Sequence, residues 1–158
     1  MLKKIHIKAL QTALVFQNQK LIQVLQEGSY WIFGNKEVVI YDNNTAFHSQ
    51  YELNYIMQNE ALAAMLMVVE VADDQIVLQF ENGNFKEVMT AGRYAFWKGF
   101  IKREFITVDL SKVDITEAVP ITLLDNIRIS NYVRRFLVLS HEKALLYING
   151  VFIKELTA

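Results

Sequence analysis

A chain of 158 residues that is 53% hydrophobic and 21% charged has the apolar material for a packed core, which excludes a disordered or linker-rich protein. A net charge of −1, with Arg134 and Arg135 the one pair of adjacent arginines, sets aside nucleic-acid binding, whose affinity rests on neutralising phosphates. The absence of cysteine excludes disulfides and thiolate metal sites and fits a reducing cytoplasm.

The chain opens Met1-Leu-Lys-Lys-Ile-His-Ile-Lys-Ala-Leu10. Charges interrupt it too often for a secretory signal. Apolar segments on either side of Asn18-Gln19 then predict a hairpin, with a looser turn because Gln19 stands where glycine is preferred. Gly28 marks a bend or bulge before a short aromatic strand, Ser29 to Phe33. Alternation places Tyr30 and Ile32 on one face and Trp31 and Phe33 on the other. A further strand is expected over Glu37–Asp42. A helix is expected over Leu53–Leu66, where Leu53, Ile56, Met57, Ala61, Ala64 and Met65 form one stripe. A strand from Met67 to Ala72 leads through a tight turn at Asp73-Asp74. The longest apolar run, Ala61 to Val69, is nine residues, against about 20 for a membrane helix.

The same succession then recurs. Asn82-Gly83 is a strong signal for a type I′ hairpin turn, since both central residues must accept positive φ. Gly92 precedes the aromatic strand Arg93 to Trp97, and Glu104–Asp109 follows as a strand. A weaker helix is expected from Pro120 to Asn126, with proline placed to start it. A closing strand is expected from Tyr132 to Leu139, then a turn over Ser140–Lys143. Asn149-Gly150 supplies a third hairpin turn.

Aligned at an offset of 64, residues 13–33 and 77–97 match at six of 21 positions, including Gly28/Gly92 and Tyr30/Tyr94. Ordinary residue usage gives about one or two. Residues 144–158 match 77–91 at six of 15 positions at an offset of 67. Self-similarity of this length indicates a repeated supersecondary unit. The chain accordingly reads as one β-rich unit over residues 1–73, a second over 74–140, and the opening hairpin of a third over 141–158, cut one residue before its expected glycine. The expected fold class is α+β: mostly antiparallel β, two tandem repeats with one or two short helices. Neighbouring units are expected to pack in series and to share strands across their joint.

Few residues suggest chemistry. His6, His48 and His141 show no metal-ligand spacing, and no metal or cofactor is expected. Asp73-Asp74 reads as a turn, its side chains pointing apart into water. Ser140-His141 and His48-Ser49 are neighbours in sequence, not a nucleophilic arrangement, and no Gly-x-Ser-x-Gly elbow or phosphate loop occurs. His48 with Asp42 is the pair to inspect if the chain were an enzyme. Lys98, Lys102 and Arg103 read as a solvated rim. The two-faced aromatic strands are the most informative feature. Packing within the chain is their simplest cover, and a neighbouring subunit is the next. The candidate interaction surface is Trp31, Phe33, Trp97 and Phe100.

Glu142-Lys-Ala-Leu-Leu-Tyr-Ile-Asn-Gly-Val-Phe-Ile-Lys-Glu-Leu156 resembles the opening of a stomatin/prohibitin/flotillin (SPFH) domain. The stretches ending Gly28-Ser-Tyr-Trp and Gly92-Arg-Tyr-Ala-Phe-Trp resemble repeated versions of it. The whole is similar to the N-terminal region of bacterial slipins. That resemblance implies a non-enzymatic scaffold that forms homo-oligomers or holds partner proteins. It also implies a cytoplasmic location, peripheral to a membrane only through parts of a longer protein. The family's usual membrane segment and long C-terminal helix are not visible here. The alternative reading is a module that binds a peptide or small ligand in a groove between the repeats.

Overall fold

The computed structural model describes residues 2–99 and 101–158. These form two compact units, Met1–Asp114 and Ile115–Ala158. Strand dominates, and every strand pairing is antiparallel.

The first unit opens with β1 (Leu2–Ile7), β2 (Gln11–Gln17), β3 (Lys20–Leu25), β4 (Gly28–Phe33) and β5 (Glu37–Asp42). Strands β3, β2 and β5 form one sheet in that order, and β1 pairs with β4 in another. The first sheet's inner face meets the β1–β4 pair around Ile5, Ile7, Ala13, Val15 and Ile32. Period-2 alternation produces this: Ile5 and Ile7 point inward, while Lys4 and His6 point outward.

A connecting region follows, with β6 (Ala46–Phe47), α1 (Leu53–Ile56) and α2 (Glu60–Met65). The single helix expected over Leu53–Leu66 is thus two short ones. Glu52 caps the first by accepting from the Tyr55 backbone N–H (2.9 Å), and Asn59 caps the second by accepting from Leu62 N–H (3.1 Å). A side chain that satisfies orphan donors starts a new helix wherever it falls, even inside an apolar stripe.

Strands β7 (Leu66–Val71), β8 (Gln75–Glu81), β9 (Asn84–Met89) and β10 (Gly92–Trp97) then occur, each 64 residues after β1 to β4. They are followed by β11 (Arg103–Asp109). The registers correspond as well. Leu2 faces Phe33 and Ile7 faces Gly28; Leu66 faces Trp97 and Val71 faces Gly92. The hairpin β2–β3 shifts register between Val15 and Phe16, and β8–β9 does so between Gln79 and Phe80. Val71, Val77, Met89 and Phe96 build a core matching that around Ile7, Ala13 and Ile32.

A third core ties these halves of the unit together. It gathers Leu14, Phe16 and Leu21 from β2 and β3, Phe47, Ile56 and Leu62 from the connecting region, and Leu66, Ala95 and Trp97 from β7 and β10. Strand β10 is also hydrogen-bonded on both edges, to β7 and to β6. Strands on both sides of residue 73 thus belong to one sheet, within the single unit Met1–Asp114.

The second unit holds α3 (Ile121–Leu124) and a hairpin of β12 (Ala144–Ile148) and β13 (Val151–Leu156). Pro120 occupies the cap position of α3, which is shorter than the helix expected to Asn126. The closing strand expected over Tyr132–Leu139 does not form; residues 133–139 belong to no strand or helix. The β12–β13 register shifts between Leu146 and Tyr147, 67 residues after the shift in β8–β9.

The three hairpin turns that begin with asparagine have positive φ at both positions: Asn18-Gln19 (50°, 65°), Asn82-Gly83 (51°, 82°) and Asn149-Gly150 (50°, 81°). The turn at Gln19 is therefore no looser than the others. Strand twist imposes the type I′ geometry, and glutamine is forced into it.

Candidate functional site

The aromatic strands β4 and β10 hold equivalent places but face different surroundings. In the β1–β4 pair, Leu2 lies opposite Phe33, Lys4 opposite Trp31 and His6 opposite Ser29, so these six side chains share the outer face. Trp31 is 56% exposed and Phe33 64%. The Lys4 ammonium stands 5.6 Å from the Trp31 ring centroid, in range for a cation–π contact. His6 Nδ1 and Ser29 Oγ are 3.0 Å apart. The result is an apolar strip edged by a cation and a polar pair.

Sixty-four residues on, the same outer positions are Leu66, Ala95 and Trp97, all buried. The Trp97 ring meets Phe47 edge-on at 5.1 Å and Tyr41 at 6.0 Å. Trp97, expected on an interaction surface, is thus a core residue at 2% exposure. Its indole N–H is buried without a hydrogen-bond partner. Phe100, the fourth expected surface residue, lies outside the described residues. Cover from within the chain, expected for both aromatic strands, reaches β10 but not the outer face of β4.

The glycines expected at the bends begin their strands with φ of 149° (Gly28) and 151° (Gly92). The tyrosine two residues later folds back over each. Tyr94 hydroxyl donates to the Thr90 carbonyl at 2.9 Å, and Tyr30 hydroxyl donates to the Glu27 carbonyl at 3.4 Å. The Gly-x-Tyr spacing therefore builds one local device twice: a backbone bend roofed by a ring.

Arg103, expected in a solvated rim with Lys98 and Lys102, is the residue that sequence reasoning missed. Its side chain is 2% exposed. It donates from Nε to Glu81 (3.2 Å) and from Nη1 to the Trp97 carbonyl (3.0 Å), and its guanidinium lies 5.2 Å from the Phe96 ring centroid. A third bond runs to the Asn44 carbonyl (3.3 Å). It thereby fastens β11 to β8, to β10 and to the loop before β6. Opposite-charge positions 22 residues apart carry no local signal of such a pairing.

Other polar groups serve turns or link neighbouring segments. Asp42 accepts from the Asn44 N–H at 2.9 Å, and no hydrogen bond joins it to His48. Asp73 and Asp74 form the turn between β7 and β8. Glu37 accepts from Gln50 (2.8 Å) and from the Tyr51 hydroxyl (2.9 Å), and that second bond holds the Tyr51 phenol above its usual range. Hydrogen bonds donated by Ser111 hold the Asp109 carboxyl below its usual range. Among the described residues no three His, Asp or Glu side chains converge on one point.

Among the clefts that mark the surface of the described residues, four open ones have volumes of about 220 to 460 Å³. One lies beside Phe47, His48 and Arg93, another beside Lys20, Tyr55 and Asn59. None of the four is lined by Trp31 or Trp97. Among the described residues no helix is long and apolar enough to cross a membrane.

Compared with known proteins, the chain matches no family model, and no curated protein or solved structure is similar to it.

Proposed function

We propose that this chain is a non-enzymatic assembly module of tandem β-rich units, of the kind a slipin-like SPFH protein would use for self-association or for holding a protein partner. The observation that carries this reading is the uncovered outer face of β4. Leu2, Trp31 and Phe33 stand in water where their counterparts 64 residues on, Leu66, Ala95 and Trp97, are sealed in a core. A strand built to be covered in one place and open in the other marks where another polypeptide is to be added.

The test is the mass of the chain in solution, by size exclusion with light scattering over a concentration series. The expected result is association that Trp31→Ser with Phe33→Ser abolishes. A strict monomer whose behaviour these substitutions leave unchanged would sink the self-association form of the proposal. The alternative, a ligand groove between the units, has the open cleft where Phe47, His48 and Tyr51 meet Arg93 and Ala95 of β10, but neither Trp31 nor Trp97 lines any of these four clefts.

A further inference from the structure

Strands β4 and β10 hold equivalent places, yet their fourth residues differ: Trp31 in one, Ala95 in the other. At Ala95 lies an open cleft of about 220 Å³. It forms where the chain, after pairing Phe47 with Ala95, leaves β6 for α1. Phe47 and Leu53 give it apolar surface, and Arg93, on the same face of β10 as Ala95, gives it a cation. His48, Ser49 and Tyr51 complete the lining, which includes no carboxylate among the described residues. All of these residues belong to the Met1–Asp114 unit.

The loop that walls the cleft is held in shape. Ser49 Oγ accepts from the Tyr51 N–H at 3.0 Å. The Tyr51 ring lies 4.5 Å from that of Phe16, and its hydroxyl donates to Glu37 at 2.9 Å. The cation keeps donors to spare. Arg93 donates from Nε to Glu70 at 2.9 Å and from Nη1 to the Asn54 side chain, while Nη2 has no partner among the described residues. The Glu70 side chain is 71% exposed, and a pair so exposed holds weakly against a competing anion. The His48 ring also has no partner among the described residues.

We infer that this cleft is a binding site for a small aromatic carboxylate. The ring enters over Ala95 and packs against Phe47 and Leu53. The carboxylate takes the spare guanidinium donors of Arg93, a charge-assisted contact, and a ring N–H of His48. Trp31, at the matching point of β4, gives the scale of the group that alanine leaves room for. The volume bounds the ligand as well. Pockets for drug-sized molecules run from roughly 300 Å³ upward, so one ring system with its acid fits and a nucleotide does not. The lining favours an anion because its one full charge is positive. This inference stands apart from the assembly reading, whose surface is the outer face of β4.

The probe is indole-3-acetate, titrated into the full 158-residue chain and followed by backbone amide NMR. Saturable shifts are expected at Ser49, Tyr51, Arg93 and Ala95. Arg93→Gln should weaken binding about ten-fold, the loss of a hydrogen bond to a charged group. Lys3→Gln, on β1, should leave it unchanged. Both residues are exposed, so neither change threatens the fold, which the same spectra report. Two fragments separate the contributions: 3-methylindole lacks the carboxylate and acetate lacks the ring, and each should bind far more weakly. Absent binding at millimolar probe, shifts confined to residues away from the cleft, or binding that survives Arg93→Gln overturns the proposal. So does equal binding of either fragment. Self-association that Arg93→Gln abolishes would put a side chain of a second copy in the cleft and overturn the small-ligand assignment. Association lost on changing Trp31 and Phe33, with no indole-3-acetate binding, would overturn this inference and leave the assembly reading intact.

Discussion

Gly92 enters β10 at φ 151°, a region that residues with a Cβ rarely adopt. There is room for a small side chain, since an added Cβ would lie 3.5 Å from the Tyr94 ring, so the backbone is what forbids it. Gly92→Val is therefore expected to cost about 2–3 kcal/mol, read from the shift of the urea midpoint. An unchanged midpoint would show the glycine to be incidental. Gly28 is more constrained, with the Tyr30 ring 3.1 Å from the position of an added Cβ. The need for glycine at both places was legible in the sequence. What was not legible is why tyrosine follows two residues later, because a ring lying over its own bend leaves no periodic signature. Arg103 shows the same limit: its charge pointed to solvent, and only the arrival of Glu81, the Trp97 carbonyl and the Phe96 ring makes its burial tolerable.

The hairpin β2–β3 adopts the same turn as β8–β9 and β12–β13 although its second turn residue is glutamine at φ 65°. A residue with a Cβ is strained there by roughly 1–2 kcal/mol, partly offset by the freedom glycine gains when unfolded. Gln19→Gly should thus stabilise the first unit by about 0.5–1 kcal/mol, seen as a higher thermal midpoint with the same fold. A lower midpoint would mean that Gln19 makes a contact outweighing its strain. At this scale the sequence was most readable. Alternation and the Asn-Gly pairs located the hairpins closely, because both are local signals. Helices were less readable. Of the expected stripe Ile56 is buried, but Ala61 and Ala64 are exposed and Leu62, outside the stripe, is buried instead, because Asn59 caps a new helix in the middle of it. The strand expected over Tyr132–Leu139 has the composition of a strand and lacks a partner. Propensity alone does not make a ladder.

Across the whole Met1–Asp114 unit, the core around Trp97 joins β2 and β3 to β7 and β10 through the connecting region. Trp97→Ala would empty the largest side chain from that core. A loss of about 3–5 kcal/mol is expected, with one unfolding transition for both halves. Two separated transitions in the wild-type chain would mean that the shared core does not couple them. Which strand covers which aromatic face is a non-local fact, and it was not readable from either strand alone. Trp97 was expected on a surface for that reason, while Trp31, on the equivalent aromatic strand, does lie on one. The chain's two tryptophans consequently occupy opposite extremes. One is wet and touched by an ammonium group; the other is dry, with its N–H unbonded. Without any label, the molecule emits at two wavelengths: the red edge registers whatever lands on β4, and the blue edge registers whether the interior is still closed.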